Sequence, residues 1–209
     1  SRTNYEVIKM YLFFDTETTG LPKNWNAPES DLNNWPRLVQ IAWLQYDKLE
    51  NQISKNSYLI KPDGFIIPSD ATRVHGISTQ KAEKEGIALK LALNEFSSVL
   101  NKSKILITHN VDFDKKVVGA EFLRIGIKNN LSEIQKICTM QSSTNFCKIP
   151  GGLYGYKWPS LPELHMSLFK SPFEESHDAL ADATVCAKCF FELREKGIIN
   201  INLIKINHN

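Results

Sequence analysis

The stretch Tyr11-Leu12-Phe13-Phe14-Asp15-Thr16-Glu17-Thr18-Thr19-Gly20 constrains this chain more than any other. Its apolar run is short and a Gly-Leu-Pro turn signal closes it, so it reads as a buried strand. The strand ends in two carboxylates. Alternate residues of a strand project from one face, so Asp15 and Glu17 converge on one point beyond the core. Carboxylates taken out of water without a partner are costly, and a divalent cation between them would neutralise both. On this stretch alone an ordinary strand end with solvated acids stays open, and the other acids of the chain have to decide.

At 209 residues the chain has the size of one large α/β domain, and a single domain over 1–209 is expected, with its motif core at about 10–195. No apolar run is long enough to span a bilayer. The start, Ser1-Arg2-Thr3-Asn4, has neither an initiator Met nor the apolar core of a signal peptide, so it reads as a trimmed end and the expected location is the cytoplasm. A formal net charge of +2 is too small for a general nucleic-acid coat, but it leaves room for a local patch that holds a few phosphates. Cys186 and Cys189 have metal-ligand spacing. However, Asp182, Cys186, Cys189 and Leu193 share one helical face, so small buried residues are expected there, not a zinc site or a disulfide framework.

Past the first strand, Pro22 to Asn34 is a long connection rich in Pro, Asn and Trp, expected to be either mobile or functional. Pro36 to Tyr46 and Ile53 to Ile60 read as two further strands, which makes a three-strand meander. A short helix is expected behind Ser69, stopped by Gly76, and Leu89, Leu93, Phe96 and Leu100 mark a second one. Ile105 to Thr108 is apolar on both faces, as in a parallel strand covered from both sides. It runs into His109-Asn110-Val111-Asp112-Phe113-Asp114 and then a helix. Two aspartates compete at this junction. Asp112 has Lys115 and Lys116 at i+3 and i+4, whereas Asp114 has Val117 and Val118, so Asp112 reads as a solvated helix-start residue and Asp114 as the functional acid.

The region 129–160 is irregular around one short helix, and its Lys157 and Trp158 are candidates to line a groove. Ser160 and Glu163 form a capping-box pattern for a helix to Phe169, within which His165 reads as a surface histidine. The last long helix opens in Glu174-Glu175-Ser176-His177-Asp178-Ala179-Leu180-Ala181-Asp182, with Leu180, Ala187 and Phe191 toward the core. His177 and Asp182, five residues apart, cannot share a helix face, so His177 is expected in the loop, folded over the helix start, with Asp182 pointing inward. Gly197 ends the helix, and Ile198 to Asn209 reads as a tail or edge segment.

Four acids on three separate junctions, with a histidine beside the last, form an ordered set. It resembles the DEDDh, or DnaQ-like, family of 3′-to-5′ exonucleases. The motifs that carry the resemblance are Asp15-Thr16-Glu17-Thr18-Thr19-Gly20, His109 to Asp114, and His177 to Asp182, with Val74-His75-Gly76-Ile77 between the first two. Within the family the chain is most similar to the proofreading (epsilon) subunits of bacterial replicative DNA polymerases and to related free-standing exonucleases. The resemblance implies a ribonuclease-H-like α/β fold, a central mixed five-stranded sheet flanked by helices, consistent with the meander and βαβ pattern read from the residues. It also implies that Thr18, Val74 and His75 contact the terminal nucleotide. The implied substrate is the 3′ end of a single strand, DNA before RNA, and the implied partner is a DNA polymerase subunit. The Pro22 to Asn34 loop is a departure from the pattern, near where a substrate strand enters. Cys138-Thr139-Met140 stands where many relatives have an aspartate.

The residues support the same chemistry without the family. Hydrolysis of a phosphodiester needs a nucleophilic hydroxide and stabilisation of a leaving oxygen, and two hard cations roughly 4 Å apart serve both ends. Asp15, Glu17 and Asp182 suit the first ion, and Asp15 with Asp114 the second. Oxygen ligands select Mg²⁺ or Mn²⁺, and His177 is placed to take the water's proton near neutral pH. Three other readings compete with DNA hydrolysis. An aspartyl-phosphatase needs Asp two residues after its nucleophile, where this chain has Glu17. A non-catalytic nucleic-acid or polymerase-tethering module does not explain an intact acid set. RNA trimming attacks the same bond and differs only at the 2′-hydroxyl.

Overall fold

The computed structural model describes residues 9–151, 155–173 and 177–201, so Glu174 to Ser176 and most of the tail read above lie outside the described residues. Strand β1 (Lys9–Thr18) pairs antiparallel with β2 (Leu38–Asp47), which pairs antiparallel with β3 (Gln52–Leu59). On its other side β1 runs parallel to β4 (Ile105–Thr108), and β4 parallel to β5 (Gln135–Cys138). The sheet order is therefore β3-β2-β1-β4-β5, the meander and mixed sheet expected from the sequence. β5 falls in the stretch read as irregular.

Both faces of the sheet are covered, and the period of two along β1 sorts its side chains between them. Leu12 and Phe14 join Trp43, Leu106, Phe96 and Phe122 in one core, against α3 (Leu89–Asn101) and α4 (Val111–Ile125). Tyr11 and Phe13 join Leu44, Ile105, Ile107 and Phe190 in the other, against α6 (Leu161–Phe169) and α7 (Ala179–Glu195). Phe13 sits edge-on to Phe190 with ring centroids 5.2 Å apart. Truncating a ring so enclosed costs on the order of 3–5 kcal/mol.

The remaining helices are α1 (Ser69–His75), α2 (Thr79–Glu85) and α5 (Thr139–Cys147). Pro68 precedes α1 without a side-chain cap, while Gly76 closes it in the left-handed region at φ 73°. α2 was not legible in the sequence, because six polar residues around one buried alanine carry no periodic stripe. The capping box at α6 is present in full: Glu163 N–H donates to Ser160 Oγ, and Ser160 N–H donates to Glu163 Oε2 at 2.8 Å.

Two readings need correction. His165 is buried, not on the surface: Nδ1 faces Ser171 O at 3.1 Å, and the ring lies between Phe169 and Phe173. Along α7, Phe190 is the fully buried phenylalanine, and Leu180 and Phe191 pack at the core's margin. The Asp182-Cys186-Cys189-Leu193 face is buried throughout, and Cys186 and Cys189 are free thiols.

The long 22–34 loop is fixed to α4. Asn24 N–H donates to Asn34 Oδ1 at 2.7 Å and Asn34 Nδ2 donates back to Asn24 O at 3.0 Å, closing the loop at its base. Arg124 Nη2 donates to Leu32 O and Trp35 O, at 2.6 and 2.8 Å. Buried Glu121 completes the joint: Oε1 accepts from Arg37 Nε and from Leu38 N–H, each at 2.9 Å. This acid is fully enclosed, so its arginine and backbone donors offset the cost of burying it.

Candidate active site

β1 and β4 are parallel, so their carboxyl ends lie side by side, and the cleft opens there. Ligands of open α/β sheets bind outside the carboxyl ends of strands, beyond the reach of the covering helices. The cleft has a volume of about 250 Å³ and is lined by Asp15, Glu17, Asp114, His177 and Asp182, together with Thr16, His109 and Phe113.

Three elements bring the acids together. Asp15 and Glu17 continue the Tyr11–Phe13 side of β1, toward α7, and Asp182 faces them from the first turn of that helix. Ligand atoms of Glu17, His177 and Asp182 all lie within 4.8 Å of one another. Asp114 comes from the opposite layer, α4, and is buried. Its Oδ1 accepts from the Thr16 hydroxyl at 2.7 Å and its Oδ2 from the Thr108 hydroxyl at 3.1 Å. Burial pushes the Asp114 carboxyl up to about 6, against the two threonine donors, which pull it down. Asp112, two residues earlier, is exposed and accepts from Gln141 Nε2 at 3.0 Å.

His177 stands in the loop ahead of α7 with φ 47°, a left-handed backbone uncommon outside glycine. The helix start just behind it is held firmly. Asp178 Oδ1 accepts from Leu180 N–H and Ala181 N–H at 3.1 and 3.0 Å. Gln40, buried in β2 opposite Glu17, donates from Nε2 to Asp178 Oδ2 at 3.0 Å, and its Oε1 accepts from Ala179 N–H at 3.1 Å.

His109 is a second cleft histidine, and its tautomer is fixed by its partners. Nε2 faces Pro159 O at 3.0 Å and must carry the hydrogen, so Nδ1 accepts from the Thr139 hydroxyl at 2.9 Å. Burial lowers its pKa to about 4, which keeps the ring neutral. The remaining sequence-derived positions, Thr18, Val74 and His75, are not among the residues that line the cleft. Thr18 is buried and its hydroxyl donates to Gly20 O at 2.7 Å. His75 Nδ1 accepts from Ile77 N–H at 3.1 Å, so Nε2 donates to Thr18 O at 3.2 Å. Burial lowers the His75 pKa, the bond to Thr18 O opposes this, and the nearby His177 adds to it. Val74 is exposed.

Sequence reasoning did not find Gln40, Thr108 or Asp178 as supports. One signal was available for Gln40, a lone amide inside the apolar run Leu38 to Leu44.

A mixed sheet in this order, with acids gathered at the carboxyl ends of its central parallel strands, is the ribonuclease-H-like fold of exonuclease domains. The chain belongs to the exonuclease family: the family description "Exonuclease" (RNase_T) matches residues 12–190. Among curated relatives, it is 28% identical to the DNA polymerase III subunit epsilon of Buchnera aphidicola, over 92% of this chain and 78% of that one. It is 27% identical to the PolC-type DNA polymerase III of Mycoplasmopsis pulmonis, over 97% of this chain but only 13% of that one. The fold is shared with E. coli exonuclease I, solved with a dA16 oligonucleotide, at a TM-score of 0.68 and 21% identity, over 88% of this chain and 40% of that one.

Proposed function

We propose that this chain is a cytoplasmic, metal-dependent 3′-to-5′ exonuclease, a single domain over 1–209 that trims single-stranded or mismatched DNA ends and releases 5′-mononucleotides in proofreading or repair. The observation that carries the reading is the convergence of Glu17, His177 and Asp182 within 4.8 Å in a cleft that Asp15 and Asp114 also line. Family membership supports hydrolysis, and the likeness to an epsilon subunit supports DNA as substrate and a polymerase subunit as partner.

The donor set fits hard divalent cations. Carboxylates gathered this closely repel one another, and oxygen donors of this kind suit Mg²⁺ or Mn²⁺. Asp15, Glu17 and Asp182 would hold one cation, and Asp15 with Asp114 the other. When bound, the cations supply an ionised water and neutralise charge on the leaving oxygen. The protein's own groups do the rest. An imidazole nitrogen of His177 takes the proton from the attacking water, and its place ahead of a capped helix keeps the ring over Glu17 and Asp182. His109, neutral and fully bonded, holds the Pro159 side of the cleft without adding charge to it. Thr18, Val74 and His75 contact the terminal nucleotide. A cleft of about 250 Å³ suits the terminal nucleotide of a strand.

A digestion series tests the reading. Single-stranded DNA, duplex DNA with a mismatched 3′ end, and RNA are each incubated with Mg²⁺ and with Mn²⁺. Stepwise 5′-mononucleotides from DNA are expected, faster from single strands and frayed ends, since unstacking a paired base costs a few kcal/mol. Internal cleavage of a strand capped by a 3′ phosphorothioate, at the uncapped rate, would show an endonuclease instead. Faster hydrolysis of RNA would make the chain an RNA-trimming enzyme.

A further inference from the structure

The 22–34 loop holds an aromatic side chain that the chemistry at the acids does not use. Trp25 is 49% exposed, and its ring centroid lies 5.7 Å from that of Phe113, which itself lines the cleft. Single exposed hydrophobics are ordinary on protein surfaces. Trp25 differs in being packed against a residue of the cleft wall, so that its ring continues the apolar surface of Phe113.

Its backbone is also fixed. Lys116 Nζ donates to Trp25 O at 2.9 Å, Asn26 N–H donates to Asn24 Oδ1 at 2.9 Å, and the Asn24–Asn34 clamp closes the loop behind it. Trp35 anchors the loop from inside. It is buried, donates from Nε1 to Pro28 O at 2.9 Å, and carries the Lys116 ammonium 5.2 Å from its ring centre. The two tryptophans divide the work of the loop: Trp35 is spent on packing, whereas Trp25 keeps half its surface in water after every loop contact is made. A rigid aromatic face held open costs little further ordering when a flat partner arrives. The Lys116 ammonium, bonded to Trp25 O, also places cationic charge close by for a backbone phosphate.

We propose that Trp25 is a base-stacking platform. It takes a nucleobase of the single strand upstream of the terminal nucleotide and sets how long a strand the enzyme needs for tight binding. The proposal rests on the nuclease reading above and adds to it a residue of the 22–34 loop. Base–aromatic stacking is sequence-tolerant and, by alanine substitution, changes binding by about ten-fold or more per base.

The experiment compares wild type, Trp25→Ala and Trp25→Phe on two substrates. One is the p-nitrophenyl ester of thymidine 5′-monophosphate, which has no upstream base. The other is a set of oligo(dT) strands of increasing length. In Trp25→Ala, kcat/KM on the longer strands should fall about ten-fold further than on the ester, through KM, and Trp25→Phe should recover most of it. An abasic site walked inward from the 3′ end should weaken wild type at one position where Trp25→Ala is indifferent. Equal losses on ester and oligomers would make Trp25 a prop for Phe113 and overturn the platform, as would full activity on every strand. Binding is read independently of turnover, in metal-free protein, from tryptophan fluorescence. Oligo(dT) should quench wild type more than Trp25→Phe, and Trp25→Ala should bind about ten-fold more weakly. Identical quenching and affinity in the three proteins would overturn the proposal even if no strand is hydrolysed, whereas quenching without hydrolysis would leave the platform standing and remove the nuclease reading.

Discussion

Thr16 and Asp114, 98 residues apart in sequence, meet in a buried hydrogen bond in which the Thr16 hydroxyl donates to Asp114 Oδ1 at 2.7 Å. This bond joins the two layers of the site. Thr16 lies between Asp15 and Glu17 in β1 but points to the opposite face of the sheet, where α4 delivers Asp114. One strand end therefore presents two acids toward α7 and, from its other face, orients a third that arrives from α4. Thr108, at the end of the adjacent parallel strand, donates to the second oxygen at 3.1 Å.

The burial of Asp114 makes a prediction with a definite sign. Its carboxyl is raised from 3.8 to about 6, with burial the largest cause, so the folded protein binds this proton more tightly than the unfolded chain does. Stability from this group is present below pH 3.8 and is lost as pH rises through about 6. In metal-free buffer at pH 7.5, Asp114→Asn should therefore be more stable than wild type by up to about 3 kcal/mol, less whatever its threonine bonds lose. The advantage should vanish near pH 4 in urea melts. The same variant should lose nearly all nuclease activity, while Asp112→Asn, exposed and accepting from Gln141, keeps most of it. The reverse order of activities would place the functional acid at 112.

Thr16→Val removes a donor without changing the shape of the side chain. A hydrogen bond to the charged form holds a carboxyl's pKa down, so its loss should move Asp114 above its present value of about 6. In metal-free protein, the pH-dependent loss of stability in urea melts should therefore extend to higher pH than in wild type. A uniform loss at every pH would mean that Thr16 matters for packing alone.

The parts of this site that follow local periodicity could be read from the sequence. A spacing of two on a strand put Asp15 and Glu17 on one face, helical spacing separated Asp114 from Asp112, and the Ser160 and Glu163 pattern located a helix start to the residue. Supports that depend on distant partners could not be read. Gln40 meets Ala179 across 139 residues, and although a lone amide in an apolar run marks Gln40, nothing near it names that partner. His165 does have Phe169 at i+4 as a local sign of its burial, whereas the chain reversal that brings Phe173 onto the ring has none, and a four-residue strand such as β5 is too short to show a period. The 22–34 loop, open to either mobility or function in the sequence, has its anchors in Lys116 and Arg124 of α4, far along the chain.

His177 is placed to serve as the base, yet its nitrogen also lies within 4.8 Å of carboxylate oxygens of Glu17 and Asp182, close enough to share a cation with them. The two roles separate experimentally. If His177 acts on the water's proton, His177→Ala should slow turnover by two orders of magnitude or more, with Mn²⁺ affinity from calorimetry changed less than about three-fold. Asp182→Asn should lose both. The rise in melting temperature on adding Mn²⁺ reports the same contrast, since a ligand that binds only the folded state stabilises it. That rise should persist in His177→Ala and disappear in Asp182→Asn. A His177→Ala protein that no longer gains stability from Mn²⁺ would make the imidazole a metal ligand.

The Gln40 clamp links the middle of the sheet to the loop that carries His177. Its amide donates to Asp178 Oδ2 and to Ser57 Oγ, each at 3.0 Å, and its carbonyl accepts from Ala179 N–H at 3.1 Å. Asp178 is at once the N-cap of α7 and the residue after His177, so the clamp sets where the helix begins and where the imidazole hangs. Gln40→Leu keeps an apolar strand but leaves a buried N–H and a carboxylate oxygen without these partners, which should cost about 2 kcal/mol in urea unfolding. Gln40→Glu retains an acceptor for Ala179 N–H but sets a second carboxylate against Asp178 Oδ2, so above pH 6 it should be the less stable of the two. In both variants kcat should fall with KM for oligo(dT) nearly unchanged, because the displaced group acts on water and not on the strand. A loss confined to KM would show that the clamp shapes the binding surface instead of holding His177.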